Sequence, residues 1–131
     1  MSFEFPVRVY WEDTDAGGIV FYANYLKFFE RARTEWLRHL GIEQQALREA
    51  TGGMFVVVET QLKYHKPAQL DDLLTVNASL LSKGRSSLVI TNKLGDPPTR
   101  LCCCAKVRFA LAGCKLPALS PTAFPLPFWC V

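Results

Sequence analysis

One long amphipathic segment, from about Asn24 to Leu40, constrains the fold of this chain more than any other feature. Its apolar side chains recur at steps of three and four residues, the spacing of one face of an α-helix. They are Tyr25, Phe29, Ala32, Trp36 and Leu40. Charged and polar side chains occupy the other side, and Gly41 supplies a stop signal. Because the apolar face is largely aromatic, we expect this helix to be deeply buried.

Extended segments lie on both sides of the helix. Before it, apolar residues alternate with polar ones, the pattern of a half-buried strand; they are Phe3, Phe5, Val7, Val9 and Trp11. After it, a short helical turn from Glu43 to Glu49 ends at Gly52-Gly53. Four strand-like stretches follow, from Met54 to His65, Leu73 to Ser82, Ser87 to Leu94 and Thr99 to Leu111. The last one alternates, which places Leu101, Cys103, Ala105, Val107 and Phe109 on the apolar face and Arg100, Cys102, Cys104, Lys106 and Arg108 on the other.

Short turns separate the last three strands, at Lys83-Gly84-Arg85 and at Gly95-Asp96-Pro97-Pro98. Connections of this length leave no room for crossover helices, so consecutive late strands are expected to pair antiparallel. One apolar-faced helix packed on one face of an antiparallel sheet makes an α+β domain. The open edge of such a sheet needs protection, which a two-fold dimer that continues the sheet across subunits would supply.

The length and composition fit a single globular domain over residues 1–131, with 50% hydrophobic and 21% charged residues. Four prolines after Leu116 predict that about 113–131 form an irregular tail. The net charge of +3 is too small to argue for nucleic acid, but it suits a ligand that carries several phosphates. Neither a membrane-length apolar run nor a signal peptide is present, so a cytoplasmic protein without stable membrane insertion is expected.

The five cysteines include three consecutive ones, Cys102, Cys103 and Cys104. Successive side chains on a strand point to opposite faces, so this run is poor material for a disulfide framework or a zinc site. We expect reduced thiols that act as small apolar residues, and no metal site. A Cys–His nucleophile stays open, although the two histidines, His39 and His65, have no local signature that supports it.

The stretch from Glu12 to Tyr25 is the most informative for chemistry. Two carboxylates, Asp13 and Asp15, end the first strand, and Gly17-Gly18 allows a tight backbone path and close approach of a ligand. The helix that follows presents unpaired N–H groups, which can polarise a carbonyl oxygen as negative charge develops on it. The alternative is an ordinary capped turn, and the pattern alone favours that alternative.

A resemblance to a known family favours the active-site interpretation of this loop over the capped turn. The segments from Val7 to Tyr25 and from Phe28 to Glu35 resemble the 4-hydroxybenzoyl-CoA thioesterase family, most closely its branch of tol–pal-associated acyl-CoA thioesterases. Further matches are Tyr64, the run from Pro67 to Asp72 and the run from Gly84 to Leu88, so the likeness covers roughly residues 5 to 111. Its most specific part is Asp-x-Asp-x-Gly-Gly-Ile-Val-Phe-Tyr with the helix behind it.

The resemblance implies a hotdog fold, in which a curved antiparallel sheet wraps the long helix, assembled as homodimers that often pair into tetramers. It implies hydrolysis of acyl-coenzyme A thioesters to free acid and coenzyme A, without metal or organic cofactor. Asp15 would be the catalytic carboxylate, as nucleophile or as general base. The backbone N–H of Tyr22 would polarise the thioester carbonyl, and Gly18 would belong to the same loop. Many tol–pal-associated members have histidine in place of Tyr22 and tyrosine in place of Trp11, which puts a histidine-assisted mechanism in doubt.

Supporting residues have two interpretations each. Glu30 either faces the partner subunit's site or pairs along its own helix, and the second is favoured. Lys83, Arg85 and Ser86 match a family segment near the coenzyme's entry channel, where they would bind phosphates, or they form an ordinary solvated turn. Lys66 would add positive potential or be a plain surface lysine.

Two rival functions stay open. A hotdog dehydratase or hydratase would need a histidine at the site, and none falls between Asp15 and Tyr25. A non-catalytic module that binds acyl-coenzyme A or acyl carrier protein is the other, because fold alone does not give activity. The identity of the acyl group and the preference between coenzyme A and acyl carrier protein are not readable from these residues.

Overall fold

A computed structural model of the chain describes residues 2–96 and 100–112. The expected tail at about 113–131 and the prolines of the second turn lie outside the described residues. The elements are β1 (Ser2–Arg8), a 3-10 turn (Trp11–Asp13), α1 (Asn24–His39), α2 (Gln44–Thr51), β2 (Met54–Tyr64), β3 (Leu73–Lys83), β4 (Ser87–Asp96) and β5 (Arg100–Ala112). The predicted order of strand, long helix and four strands is confirmed.

The strands form one antiparallel sheet in the order β1-β3-β4-β5-β2. Late consecutive strands pair as predicted for β3 with β4 and for β4 with β5. β2 does not pair with β3, which follows it, but closes the other side of the sheet against β5. The edges of the sheet are therefore β1 and β2, and α1 packs on the face made by β1, β3 and β4.

The helix α1 is buried along its aromatic face. Phe28, Phe29 and Ala32 have no exposed surface, and Tyr25 and Trp36 are nearly as enclosed. The predicted stop is confirmed, because Gly41 has a φ of +88°, a left-handed conformation that glycine adopts without strain. Against this face pack the inward side chains of the sheet, which form the core; they include Val7, Leu74, Val76, Leu94, Cys103 and Val107.

The first strand is shorter than the alternation predicts. β1 ends at Arg8, and Trp11, expected as its last inward residue, lies in the 3-10 turn with 79% of its surface exposed. The chain turns there because the Asp13 carboxylate accepts a hydrogen bond from the Tyr10 N–H at 2.8 Å. A contact between a side chain and the backbone three residues away overrides the period-2 pattern.

The alternation predicted for β5 is wrong at Cys102. That residue was expected on the outer face, but the pairing with β4 shifts register between Leu94 and Gly95, and Cys102 is fully buried beside Cys103. Leu101, expected inside, is 38% exposed. A Cβ at Gly95 would overlap the Arg100 carbonyl, so the close approach of the two strands at this bulge requires glycine.

The cysteine run serves as core material, as expected. Cys102 and Cys103 are buried free thiols and Cys104 is half-buried. Burial raises the pKa of Cys103 to about 12, which keeps its thiol neutral and unreactive. Within the described part of the chain, no helix is both long enough and apolar enough to cross a membrane.

The assignment of the core can be tested with two leucines of β3. Leu74 is 1% exposed, so Leu74→Ala should lower the free energy of unfolding by about 2–5 kcal/mol, from lost burial and a residual cavity. Leu81 is 55% exposed, and Leu81→Ala should cost less than about 1 kcal/mol. Urea denaturation measures both, and equal losses would contradict the assignment.

Candidate active site

The segment between the 3-10 turn and α1 folds into a tight loop around Asp15. The Asp15 N–H donates to the Ile19 carbonyl at 2.8 Å, and the Gly18 N–H donates to the Asp15 carbonyl at 3.1 Å. Thr14 and Val20 form an antiparallel bridge at the base of the loop. Gly18 has a φ of +79°, so the path of this loop requires a residue without a Cβ there.

This loop is anchored to the connection between β2 and β3. The Val20 N–H donates to the Ala68 carbonyl at 2.8 Å, and the Leu70 N–H donates to the Gly18 carbonyl at 3.2 Å. The connection is itself held by the Asp72 carboxylate, which accepts from the Gln69 N–H at 2.9 Å and from Arg100 Nη2 at 2.8 Å. The loop is therefore fixed by backbone contacts to a segment more than 40 residues away.

Asp13 and Asp15 have different surroundings although they are two residues apart. The Asp13 side chain is 5% exposed, and its carboxylate caps the 3-10 turn, as the sequence predicted. The Asp13 carbonyl accepts from the Phe21 N–H at 3.0 Å and from Asn24 Nδ2 at 2.9 Å. Asp13 is thus a structural residue that ties the loop to the start of α1.

The Asp15 carboxylate is exposed, and only one of its two oxygens accepts a hydrogen bond from the described residues. Its Oδ1 accepts from the Gly17 N–H at 2.8 Å, while its Oδ2 has no hydrogen-bond partner among the residues that the structure describes. A Cβ at Gly17 would lie 3.2 Å from Oδ1, so glycine leaves room for this contact. One oxygen therefore orients the carboxylate, and the other is available to a substrate carbon or to a water molecule.

Two backbone N–H groups just before α1 are also available. The N–H groups of Tyr22 and Ala23 have no acceptor in the described part of the chain. The carbonyls around them are occupied, because the Phe21 carbonyl accepts from the Asn24 N–H at 2.8 Å and the Tyr22 carbonyl accepts from the Tyr64 hydroxyl at 2.9 Å. Free N–H groups at the positive end of a helix are suited to hold an oxygen that gains negative charge. In contrast, the Gly18 N–H is already engaged and supports the loop.

Glu30 lies away from the Asp15 loop, at a cleft of about 190 Å³ between α1 and the sheet. Its Oε1 accepts from the Thr34 hydroxyl at 2.8 Å, so within one chain the favoured pairing along the helix is observed.

Arg33 lines the same cleft and is 8% exposed. Its Nη1 donates to Asn92 Oδ1 at 3.0 Å, and its guanidinium carbon lies 5.1 Å from the centre of the Phe109 ring. Burial lowers the pKa of Arg33 to about 10. No sequence signal distinguished this arginine from its exposed neighbours.

The residues expected to bind coenzyme A do not gather in one place. Lys83, Arg85 and Ser86 lie at the far end of β3, whereas the Asp15 loop contacts the connection that precedes Leu73. The whole of β3 runs between them, a length along the strand of at most about 33 Å at about 3.3 Å per residue. Lys66 is exposed and follows β2 on the side of the Asp15 loop.

Two other observations bear on chemistry. The His65 Nε2 lies 3.5 Å from the Sγ of the half-buried Cys104, a pair that the sequence did not signal. Across residues 2–96 and 100–112, no group of three or more histidine, cysteine, aspartate or glutamate side chains is placed to hold a metal ion. The candidate site that the loop offers consists of the Asp15 carboxylate and the free N–H groups of Tyr22 and Ala23.

Comparison with known proteins gives this geometry a context. The family model of the thioesterase superfamily matches residues 17–103, a range that begins just after Asp15 and includes Tyr22, α1 and the anchoring connection. The acyl-CoA thioester hydrolase YbgC of Escherichia coli is 50% identical over 92 residues, which cover 70% of this chain and 68% of the relative. The acyl-CoA thioesterase YbgC of Haemophilus influenzae is 43% identical over 124 residues, covering 95% of this chain and 89% of the relative.

Solved structures agree on the architecture. A probable thioesterase from Bartonella henselae superposes with a TM-score of 0.81 at 32% identity, covering 86% of this chain and 93% of that one.

The different roles of the two aspartates can be tested on stability. Asp13→Ala should lower the free energy of unfolding by about 0.5–2 kcal/mol, because it removes the cap on the 3-10 turn. Asp15→Ala should change it by no more than about 0.5 kcal/mol, since that side chain is exposed. Urea denaturation of both variants decides the matter, and a larger loss for Asp15→Ala would reverse the assignment.

Proposed function

Because the chain belongs to the thioesterase superfamily, we propose that the Asp15 loop is its active site and hydrolyses acyl-coenzyme A thioesters. The architecture is the hotdog fold that the resemblance implied. The chain is a thioester hydrolase, and acyl-coenzyme A is the substrate class that the names of its 43% and 50% identical relatives support. The observation that carries the assignment of the site is the free Asp15 Oδ2 in a loop that leads directly to two free N–H groups at the start of α1.

The proposed chemistry divides the work between the carboxylate and the backbone. The thioester oxygen accepts a hydrogen bond from the Tyr22 N–H, and the positive end of α1 stabilises the negative charge that forms on it during attack. As a general base, Asp15 takes a proton from water, the water oxygen bonds to the acyl carbon, and the coenzyme A thiolate leaves. As a nucleophile, the Asp15 carboxylate bonds to the acyl carbon and the coenzyme A thiolate leaves, which gives a mixed anhydride that water then hydrolyses. Neither route uses a metal or an organic cofactor.

Removal of the carboxylate tests the proposal. Asp15→Asn should lower kcat for thiol release from acyl-coenzyme A by about 1000-fold or more, because it abolishes both the basic and the nucleophilic character of the side chain. Glu12→Gln is the matched control, since this nearby carboxylate is also exposed, and it should hydrolyse like the unchanged protein. Full turnover by Asp15→Asn would refute the assignment.

The same assay separates the rival functions. Retained binding of coenzyme A without turnover in the unchanged protein would favour the binding module, and hydration of an enoyl thioester would favour the hydratase.

Hydrolysis in water labelled with oxygen-18 distinguishes the two roles of Asp15. Under single-turnover conditions, label in the Asp15 carboxyl group identifies the nucleophile, with water attacking the aspartyl carbonyl of the anhydride, whereas the general base places label only in the product acid.

We propose further that the active form is a homodimer that continues the sheet across β2, with pairs of dimers as the larger assembly. β2 is an unprotected edge strand, and its middle is apolar and exposed: Val56 by 39%, Val57 by 47% and Val58 by 56%. Such an edge pairs readily with another strand. The aromatic side chains around the loop are exposed in the same way, Trp11 by 79% and Tyr22 by 64%, as expected for surfaces that a second copy and the substrate cover.

An assembly of this kind also suits the other residues that the sequence singled out. Within one chain the turn with Lys83, Arg85 and Ser86 is far from Asp15, so it would act on coenzyme phosphates bound at the Asp15 loop of another subunit. Glu30 would face an active site only across such an interface. The same proposal includes acyl carrier protein as a second acyl donor. It also includes a cytoplasmic location, where acyl-coenzyme A is made and consumed.

A charge placed in the exposed edge tests the dimer. Val58→Arg should weaken self-association by about 10-fold or more and lower hydrolysis in parallel, because it buries an unpaired charge in the interface. Leu81→Arg is the control, since Leu81 is 55% exposed on β3, which β4 and β5 separate from the β2 edge. Sedimentation velocity measures the association. A fully active monomer of the unchanged protein would contradict the proposal.

A further inference from the structure

We propose that Tyr64 is a positioning residue of this reaction, whose hydroxyl holds the Tyr22–Ala23 peptide so that the Ala23 N–H joins the Tyr22 N–H on the thioester oxygen. The inference rests on the proposed function of the Asp15 loop. It adds a second donor and the side chain that aims it.

The geometry of one peptide links the two groups. The Tyr64 hydroxyl donates to the Tyr22 carbonyl at 2.9 Å. That carbonyl and the Ala23 N–H belong to the same planar unit and point in opposite directions. A hydrogen bond that fixes the carbonyl therefore also fixes the N–H, directing it away from Tyr64. The bond polarises the peptide as well, which makes the Ala23 N–H a stronger donor.

The preceding peptide is held in the same way by the helix itself. The Phe21 carbonyl accepts from the Asn24 N–H at 2.8 Å, and this carbonyl shares its peptide plane with the Tyr22 N–H. Both peptides that open α1 thus have an occupied carbonyl and a free N–H. The first is held by a backbone contact that any residue could make, whereas the second depends on one phenol.

Tyr64 is well placed to hold a peptide still. Its ring lies 5.5 Å from the Tyr25 ring, in an edge-to-face contact. Tyr25 is 3% exposed, and its own hydroxyl accepts from the Ala68 N–H at 3.1 Å, which fixes that ring in the core. Partial burial raises the pKa of Tyr64 above its usual 10.0, so the phenol keeps its proton and stays a donor at neutral pH.

Removal of this hydroxyl should affect the transition state more than substrate binding. Loss of one donor to a developing oxyanion typically costs 10²–10³ in kcat. Tyr64→Phe keeps the ring contact with Tyr25 and the Ala23 N–H, but it removes the hydrogen bond that fixes the direction of that N–H. We therefore expect kcat to fall by about 10–100-fold, with KM within about twofold of the unchanged protein.

A matched variant separates positioning from packing. Tyr25→Phe removes the hydroxyl of the neighbouring ring and leaves the buried Ala68 N–H without its partner. It should lower the melting temperature but leave kcat within about twofold. If both variants lower kcat alike, loosened packing explains the effect and the positioning role is overturned.

A pH profile gives a readout that a merely structural role would not move. Site-specific replacement of Tyr64 by 3,5-difluorotyrosine supplies a phenol that ionises at lower pH and then no longer donates. Turnover of this protein should fall with rising pH where that of the unchanged enzyme does not; a profile that matches the unchanged enzyme would overturn the role.

If Asp15→Asn retains full turnover, the proposed site itself fails. If Asp15→Asn is inactive and Tyr64→Phe is fully active, only the present inference fails.

Discussion

The burial of the aromatic face of α1 is the constraint on which the rest of the structure depends. Phe28 and Phe29 are completely enclosed, so the helix cannot slide along its axis without exposing large apolar surface. Its position along the sheet fixes where its N-terminus opens. Ala68 completes this arrangement, because its N–H donates to the Tyr25 hydroxyl and its carbonyl accepts from the Val20 N–H. The Ala68 carbonyl thus anchors the loop, and the Ala68 N–H contacts the helix that follows it.

Within that frame, the loop assigns two neighbouring aspartates to different tasks. Asp13 is buried with its carboxylate and its carbonyl both used as acceptors, so it contributes to the shape of the loop. Asp15 is exposed, with one oxygen held by the Gly17 N–H and the other open. A carboxylate held by a single contact keeps its direction while it retains a lone pair for chemistry. In the proposed reaction, the two free N–H groups before α1 bind the thioester oxygen as it gains negative charge.

Local patterns predicted local structure well, and distant contacts poorly. The bounds of α1 were predicted to within one residue, because helical periodicity, an aromatic face and Gly41 are all read from neighbouring residues. The end of β1 was wrong because the Asp13 cap competes with alternation, and Cys102 was wrong because a bulge reverses it. The pairing of β2 with β5 and the contact from Tyr64 to Tyr22 join residues that lie 39 to 58 positions apart in the sequence, and no spacing encodes them. Asp15 and Tyr22 were proposed as site residues from a specific motif, whereas buried Arg33 carried no signal.

The exposure of Asp15 in a single chain argues for the role of assembly in the proposed catalysis. Hydrogen bonds to a developing oxyanion are worth much more in a water-excluded site than in open solvent, where water competes for the same oxygen. The loop that contains Asp15 and Tyr22 has exposed aromatic side chains around it, Trp11 and Tyr22 among them. In the same chain, β2 is an edge strand with exposed apolar side chains. A second copy on that edge would lower the local polarity around groups that the loop has already aimed. On this view, the fold of one chain supplies the orientation of the catalytic groups, and the dimer supplies the dielectric environment in which that orientation accelerates the reaction.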